Sequence, residues 1–301
     1  MDEHMGNALR DLPSVDLLMG SEAIQALKND LGREVLVEAI RQALDEIRTA
    51  LLAGHTDAGD VATVQERVTK RVGQLLAELN RPAYCRVINA AGIILHTALG
   101  RAVLPKRALE QIQTELAGYS LLQADPETGK RAPRDGAIER LLQRLTQAEA
   151  ATVVNNNAAA TSIVLNTVGK GKEVIVSRGQ LVEIGGAFRL PDVMAFSGAR
   201  LVEVGATNKT HLRDYEAAIT EDTAAILRVH PSNYKIQGFT SEVPLEPLVE
   251  LAHAHNLWMI DDVGAGSLVD MSQFGFEPEP TLMQSVAAGA DIICCSADKL
   301  I

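Results

Sequence analysis

The first eighty residues carry apolar side chains at helical spacing. In "SEAIQALKNDLGREVLVEAIRQALDEIRTALLAG" these side chains recur every three or four positions, which predicts one long helix that begins at a Ser21 cap and ends at Gly54. The stretch "DVATVQERVTKRVGQLLAELN" predicts a second amphipathic helix that ends at Asn80. We therefore expect a small helical domain over residues 1–80.

The pattern changes after a transition that is rich in Gly and Pro. From about residue 105 onward, helical stretches alternate with short apolar, often β-branched runs: "ATVVN", "EVIVS", "ARLVEV", "AAILRVH", "LWMIDD" and "ADIICCS". This alternation is typical of βαβ units, whose strands pair in parallel and are buried on both faces. Residues 81–301 are therefore predicted to form an α/β domain with a mainly parallel sheet.

Charge and composition narrow the class of protein. The net charge of −11 argues against binding nucleic acid through bulk electrostatics. Residues 1–80 hold 8 Lys and Arg against 14 Asp and Glu, so any nucleic-acid contact there must be local and shape-specific. The acidic N-terminus lacks the apolar stretch of a secretory signal, and no apolar run reaches the ~18 residues of a membrane span. We expect a cytoplasmic protein without a membrane segment.

Polar residues follow several of the predicted strands. Asn156, Asn157 and Ala158 stand where the run "ATVVN" turns into a helix, and small residues there expose backbone N–H groups that suit a phosphate. Helix capping by the asparagines is an equally open interpretation. Asp261 and Asp262 end an apolar run, where buried acids are costly unless they meet a cation, although a cap or turn remains open.

The last apolar run brings Ser296 and Lys299 to the same edge of the predicted sheet. A single lysine is by default a surface charge. The ordered set of a phosphate-type turn, a strand-end carboxylate and a lysine is what pyridoxal phosphate needs, because it uses a phosphate cradle, an acid for its ring nitrogen and an amine for a Schiff base.

The whole set of motifs has a specific resemblance. The stretches "RVINAAGIILHTALGRA", "VVNNNAAA", "GATNKTHLRDY", "HPSNYKIQGFT", "DDVGAGSLVD" and "CCSADKL" closely resemble the bacterial selenocysteine synthases, or L-seryl-tRNA(Sec) selenium transferases. The resemblance implies a pyridoxal-phosphate enzyme of the aspartate-aminotransferase fold (fold type I), preceded by a tRNA-contacting helical domain over residues 1–80. Family members continue beyond the lysine into a C-terminal small domain. We therefore expect the chain to be an incomplete fragment, truncated just after Lys299.

The resemblance also implies roles for individual residues. Lys299 is expected to form the Schiff base, and Asp262 to pair with the ring nitrogen. Asp261 is the alternative partner, which we otherwise expect to cap the turn. Cofactor phosphate contacts are expected from four residues: Asn156, Asn157, Ala158 and Ser296.

Two further sets of residues are implied in the same way. Ser232 or Asn233 is expected to contact the cofactor's 3-oxygen. Three arginines are candidates for binding the anionic selenium donor: Arg86, Arg101 and Arg178.

The implied reaction converts L-seryl-tRNA(Sec) to L-selenocysteyl-tRNA(Sec), by dehydration to an aminoacrylate and addition of selenium from selenophosphate. The resemblance also implies a homo-oligomeric ring of dimers, and no metal is expected. Two alternatives stay open: a related lyase for a small amino acid or amino sugar, and a non-catalytic remnant that binds tRNA or oligomerises. The helical extension favours the tRNA enzyme, because a small-molecule lyase gains nothing obvious from it.

Other features have simpler interpretations. Cys294 and Cys295 lie in an apolar run, where cysteine is a small hydrophobe, and His253 and His255 are expected to mark a helix end instead of a metal site. The basic stretch 129–136, "GKRAPRDG", is either a solvated loop or a segment that reaches a neighbouring subunit's phosphate site.

Overall fold

The computed structural model describes residues 12–27, 32–53, 61–186 and 188–299. Its residue contacts divide the chain into two compact units, 1–88 and 89–301. The sequence-based division into domains at residues 80 and 81 stays a prediction. In the described residues, no helix combines the length and the apolar character that crossing a membrane requires.

The first unit is helical. Its helices are α1 (Val15–Met19), α2 (Glu22–Ala26), α3 (Arg33–Leu52) and α4 (Val61–Asn80). The two long helices pack through apolar stripes, with Leu36, Ile40, Ala43 and Ile47 from α3 and Val64, Val68 and Val72 from α4 in one buried cluster. The described core of this unit is therefore built from the spacing that the sequence shows.

The single helix predicted from Ser21 to Gly54 is wrong. The Ser21 hydroxyl does cap a helix, but that helix ends at Ala26, and α3 begins only after Gly32. Gly32 is the N-cap of α3 and has an extended backbone, and glycine favours such a position over a helix interior. The predicted end at Gly54 lies outside the described residues.

The second unit begins with two helices that leave many apolar side chains exposed. These are α5 (Lys106–Glu115) and α6 (Gly136–Thr146), preceded by a short 3-10 turn over Thr97–Leu99. The strand predicted for "ATVVN" is wrong, because residues 151–154 have no regular structure. Val153 is half-exposed and the run meets no neighbouring strand, so its backbone groups have no ladder to join.

The centre of the second unit is a five-stranded sheet in the order β4-β1-β5-β6-β7, and every pairing is parallel. Its strands are β1 (Glu173–Ser177), β4 (Arg200–Val204), β5 (Thr223–Val229), β6 (Trp258–Gly264) and β7 (Ile292–Cys295). A two-stranded antiparallel pair, β2 (Glu183–Ile184) and β3 (Phe188–Arg189), stands apart. The predicted runs from "EVIVS" onward thus form one parallel sheet.

Helices cover both faces of this sheet. On one face lie α7 (Asn157–Val168) and α8 (Leu190–Ser197), which share a buried cluster with Ile260. On the other lie α9 (Leu212–Glu216) and α10 (Leu245–Ala254), which share a cluster with Met259, and α11 (Leu282–Ala287) follows. Because strand side chains alternate, the next two residues of β6, Asp261 and Asp262, point to opposite faces.

The chain reverses its direction of travel at β1. It first passes to β4 on one side and then to β5 on the other, which makes the carboxyl ends of β1 and β5 a topological switch point. Ligands in open α/β sheets bind outside the carboxyl ends of the strands near such a point. The predicted site residues Asp262, Ser296 and Lys299 follow or end strands at this same edge of the sheet.

Candidate active site

Asp262 is a carboxylate buried at the end of a central strand, and only 2% of its surface is exposed. Its Oδ1 accepts hydrogen bonds from Asn157 Nδ2 at 2.8 Å and from the Gly264 amide at 3.1 Å. Its Oδ2 accepts one from Thr161 Oγ1 at 3.1 Å. Two side chains from the first turn and a half of α7 therefore fix the orientation of this carboxylate.

The donor set leaves one acceptor position open. A carboxylate oxygen has two lone pairs, so Oδ1 is saturated while Oδ2 can accept one more N–H. The Oδ1 atom of Asn157 is also buried and has no partner among the described residues. Desolvation raises the pKa of Asp262 above its ordinary value, against the opposing effect of the three donors. A cationic N–H at Oδ2 would offset that cost.

The N-terminus of α7 offers free backbone donors. The Asn156 side chain caps this helix by accepting from the Ala159 amide at 2.9 Å. The amides of Asn157 and Ala158 have no acceptor among the described residues. The capping interpretation is therefore confirmed. Two N–H groups stay available to an anion, and the phosphate contact stays a prediction.

Lys299 is half-buried on the turn that follows β7. The strand end is held beside β6, since the Ser296 amide donates to the Gly264 carbonyl at 3.0 Å. Desolvation and the nearby charge of Arg101 lower the pKa of the Lys299 amine, while Asp298 and Asp262 act in the opposite direction. This amine is thus neutral over a wider pH range than an exposed lysine, as a nucleophile or base requires.

Three arginines were expected near an anionic donor, and the structure places them differently. Arg101 forms an ion pair with Asp298, and of the three arginines it is the one whose charge lowers the pKa of Lys299. Arg178 is already bonded to Glu203, with Nε 3.2 Å from Oε2, and to the carbonyl of Gly205. Arg86 is exposed in the first unit.

Asp261 does not cap the turn, and that expectation is wrong. The strand continues to Gly264, so Asp261 lies inside β6 and is fully buried. Its Oδ1 pairs with Arg228 Nη1 at 2.9 Å, and its Oδ2 accepts from Ser285 Oγ at 2.7 Å. Because both its oxygens are engaged on the face away from α7, Asp262 is the acid that faces the helix N-terminus.

A cavity of about 850 Å³ opens over the switch point, and its lining does not include Asp262, Lys299 or the N-terminus of α7. Its lining includes Ser177 at the end of β1, Thr210, His230, Ser232 and Asn233. The lining adjoins the Asp262 strand end, since the His230 amide donates to the Asp262 carbonyl at 2.8 Å.

Both residues expected near the cofactor's 3-oxygen line this cavity. Gly264 has a φ of +66°, and a side chain there would begin 3.3 Å from Ser232 Oγ. Asn233 donates from Nδ2 to the Glu183 carbonyl at 3.0 Å. The structure therefore brings Ser232 towards the Asp262 strand end and commits the Asn233 amide elsewhere.

Family models match most of the chain. Residues 87–301 match the model described as L-seryl-tRNA selenium transferase, and residues 9–48 match that of the selenocysteine synthase N-terminal region. The chain belongs to the L-seryl-tRNA selenium transferase family.

Curated relatives carry the same name. The L-seryl-tRNA(Sec) selenium transferase of Alkaliphilus metalliredigens (strain QYMF) is 47% identical over 301 residues, covering 98% of this chain and 64% of its own length. That of Clostridium botulinum (strain Okra / Type B1) is 45% identical over 293 residues, covering 97% of this chain and 63% of its own length. The chain thus spans somewhat less than two thirds of these relatives.

A solved structure shows the same fold. D-Glucosaminate-6-phosphate ammonia-lyase superposes with a TM-score of 0.51 and 23% identity, over 66% of this chain and 51% of that chain. At this identity the likeness concerns the fold alone. Together with the family match it confirms the predicted fold class, a fold type I α/β unit with a mainly parallel sheet behind a helical N-terminal region.

Sequence reasoning missed three residues around the acids of this candidate site: Thr161, Arg228 and Ser285. Thr161 stands four positions after Asn157, so both lie on one face of α7, and a polar residue on a buried helix face was the available signal. Arg228 and Ser285 lie 33 and 24 positions from Asp261 along the chain. Only the sheet register brings Arg228 opposite Asp261, and the single sequence shows no register.

The two cysteines of β7 and His253 of α10 lie in structural surroundings. Burial raises the pKa of the Cys294 thiol, and raises that of Cys295 to about 11, so both are protonated in an apolar strand. His253 lies at the end of α10 with Nε2 3.1 Å from Asp291 Oδ2. No cluster of metal-ligating side chains occurs among the described residues. The basic loop is exposed, and its reach to another subunit stays a prediction.

Proposed function

We propose that this chain is the N-terminal two thirds of an enzyme that converts L-seryl-tRNA(Sec) to L-selenocysteyl-tRNA(Sec) with selenophosphate. One observation carries the proposal: the buried Asp262 carboxylate keeps a single acceptor position open at the edge where Lys299 and the N-terminus of α7 also lie. Relatives of 45–47% identity carry this activity in their names.

The cofactor proposed for this site is pyridoxal phosphate. The open position of Asp262 Oδ2 suits its ring N–H, the Lys299 amine suits its carbonyl carbon, and the free amides of Asn157 and Ala158 suit its phosphate. When bound, the cofactor supplies an electron sink that acidifies the α-proton of an attached amino acid. Ser232 is the proposed contact of its 3-oxygen, and Ser296 a further phosphate donor.

The chain's own residues then divide the work. Asp262, held by Asn157 and Thr161, keeps a negative charge against the ring nitrogen and so holds a proton there. The half-buried Lys299 Nζ takes the proton from the α-carbon of the seryl group, because its lowered pKa leaves part of it neutral. Returning that proton to the β-hydroxyl helps water to leave, which prepares the β-carbon for selenium.

The substrate is proposed to enter by the cavity over the switch point. Its volume of about 850 Å³ is far larger than a seryl group needs, which suits an acyl group still attached to the end of a tRNA. The helical unit is proposed to contact the tRNA by shape, since its net charge is negative. Arg101, beside Lys299, is the proposed contact of the selenium donor, with Arg86 and Arg178 as further candidates.

Assembly with further copies is part of the proposal. Residues 99–122 expose a run of large apolar side chains, including Val103 at 90% and Leu121 at 69% exposure. Large apolar side chains exposed in this number are typical of a surface that a partner covers. We propose a second copy as the partner, in the cytoplasm, and light scattering of the purified protein measures the resulting mass.

The test uses a fusion in which the C-terminal third of the Alkaliphilus metalliredigens relative follows residue 301. Supplied with seryl-tRNA(Sec) and selenophosphate, it should form selenocysteyl-tRNA, and seryl-tRNA(Ser) is the matched control substrate. Deleting residues 1–80 should abolish tRNA-dependent turnover and leave the cofactor bound. A deletion variant as active as its parent, or turnover of free serine instead, would favour the small-substrate lyase.

A further inference from the structure

Two consecutive acids of β6 lie in different surroundings. Asp261 and Asp262 are 0% and 2% exposed, and their side chains point to opposite faces of the sheet. The three donors to Asp262 are uncharged: the Asn157 amide, the Thr161 hydroxyl and the Gly264 backbone N–H. Asp261 instead meets a cation, Arg228, and the two residues are direct partners in the register of β5 and β6.

Adjacent carboxylates in a water-poor interior oppose each other's ionisation. The charge of Asp261 is one of the effects that raise the pKa of Asp262, after desolvation. A guanidinium on Asp261 offsets that effect, and arginine keeps its charge throughout the working pH range. The pair Arg228–Asp261 is itself nearly neutral as a unit, so the remaining formal charge at this strand end lies on Asp262.

Among the described residues, no other group around Asp261 and Asp262 offsets the charge of Asp261. Cys294 of β7 is the register partner of Asp262, and burial raises the pKa of its thiol, so it is neutral. Lys299 lies beyond the end of β7 and makes no direct contact with Asp262 among the described residues. On the opposite face, Ser285 is neutral, and burial raises the pKa of Tyr215 near Arg228 to about 12. Arg228 is the cation in direct contact with this pair of acids in the described structure.

We propose that Arg228 is a positioning residue that pairs with Asp261 to neutralise it and thereby reserves the negative charge of this strand end for Asp262. Arg228 pairs with Asp261 whatever the reaction, and only its catalytic meaning rests on the proposed function. Arg228 contacts neither acceptor position of Asp262, so it acts through its neighbour. Its Nε has no partner among the described residues.

The test titrates Asp262 in the cofactor-free chain. Aspartate carboxyls labelled with ¹³C are followed by NMR against pH, and the signal that disappears in Asp262→Asn identifies the residue. In Arg228→Met the titration midpoint of Asp262 should rise by about one pH unit or more, a tenfold weaker ionisation. In Arg228→Lys it should stay near that of the parent.

The double variant Arg228→Met with Asp261→Asn is the decisive comparison. Removing both charges should return the Asp262 midpoint to the parent value, because no uncompensated neighbour remains. An unchanged midpoint in Arg228→Met, or a midpoint that stays raised in the double variant, would overturn the proposal, since a packing role predicts no charge-dependent rescue.

A second pair of variants covers the case in which Arg228→Met does not fold. Asp261→Asn alone leaves Arg228 as an uncompensated cation. The titration midpoint of Asp262 in this variant should therefore lie below the midpoint in the double variant. Equal midpoints in these two variants would contradict the proposal. In the cofactor-loaded fusion, ¹⁵N NMR of the ring nitrogen should show weaker protonation in Arg228→Met only. Absence of any bound cofactor would count against the proposed function and leave the titration result standing.

Discussion

The helical unit and the carboxyl edge of the sheet bury different kinds of side chain. Within the described residues of the helical unit, no polar or charged side chain is buried. The buried core between α3 and α4 consists of Leu, Ile, Val and Ala, and an ion pair between Arg71 and Glu46 joins the two helices at the surface. The sheet edge buries Asp261, Asp262, Thr161 and Ser285. Burial of charge lowers stability unless it is fully compensated. The difference indicates that the buried side chains of the helical unit serve stability, whereas those at the sheet edge serve a functional site.

Mutations in the helical core and at the sheet edge should therefore have different effects. Changes in the helical core should alter stability and leave the cofactor site intact. Changes at Asp262 and Lys299 should alter cofactor binding or turnover, and removing the charge of Asp262, which has no cationic partner among the described residues, can improve stability, as expected where a protein accepts strain at a functional site.

The largest effect is expected from Lys299→Ala in the fusion protein. Without the amine the cofactor has no covalent attachment, so the visible absorption band of the bound cofactor and tRNA-dependent turnover should both disappear. Absorption spectroscopy and a borohydride-trapping assay measure this. Lys172→Ala is the matched control, because Lys172 is exposed and pairs only with Asp222 among the described residues. A Lys299→Ala protein that still traps cofactor after reduction would remove the lysine from the site.

Asp262→Asn should slow turnover by about 10²–10³-fold, since a charged partner in a water-poor site is lost while the shape is kept. The cofactor band should remain. Rapid-reaction measurement of α-proton exchange checks the rate. If the variant exchanges the proton at the parent rate, Asp262 is not the partner of the ring nitrogen.

The same variant has a pH signature in stability. Asp262 has a folded-state pKa raised above its ordinary 3.8, so its ionisable side chain favours folding below that value and loses this contribution as the pH rises through the folded pKa. The unfolding free energy of Asp262→Asn minus that of the parent should therefore become more positive between pH 4 and pH 8. Denaturant unfolding at several pH values measures the slope, and a flat difference would contradict the raised pKa.

Asp261→Asn should act mainly on stability. It leaves the largely buried Arg228, 14% exposed, without its carboxylate, and breaking a buried pair on one side costs about 3 kcal/mol. Denaturant unfolding should show this loss at pH 7, while the cofactor band remains. If Asp261→Asn abolishes turnover and Asp262→Asn does not, the two acids have the opposite roles.

The two regions also differ in how far the sequence predicts them. Apolar spacing predicted the helix over Val61–Asn80 almost to the residue, because a two-helix core needs little more than periodicity. It also predicted that Asp262 and Lys299 end up at one sheet edge, since strands in a parallel sheet share their carboxyl ends. Apolar spacing does not show the register of β5 and β6, so the contact of Arg228 with Asp261 was missed. The separate start of α3 after Gly32 was missed because the apolar spacing of the sequence continues through this position.

Ile40→Val tests the helical unit with a small change. Ile40 is fully buried in the cluster between α3 and α4, and the loss of one methylene there costs about 1 kcal/mol. Unfolding followed by circular dichroism should show this loss, and the cofactor band and its pH dependence should stay those of the parent. A changed cofactor spectrum would show that the two regions are coupled after all.

Thr161→Val gives the smallest expected effect at the sheet edge, and it is nearly isosteric with the parent. The hydroxyl shares its one proton between the Asn157 carbonyl at 2.9 Å and Asp262 Oδ2 at 3.1 Å, so its loss removes a shared donor, one of the three that reach the carboxylate. The lost hydrogen bond is worth about 1 kcal/mol, which corresponds to a severalfold drop in turnover. Thr167→Val is the matched control on the same helix, because the Thr167 hydroxyl bonds the Ile163 carbonyl on the exposed side. The Asp262 titration midpoint should rise in Thr161→Val and stay unchanged in Thr167→Val. Equal midpoints in the two variants would mean that Asn157 and Gly264 suffice to hold the carboxylate, and that the polar residue at position 161 serves only to satisfy the helix.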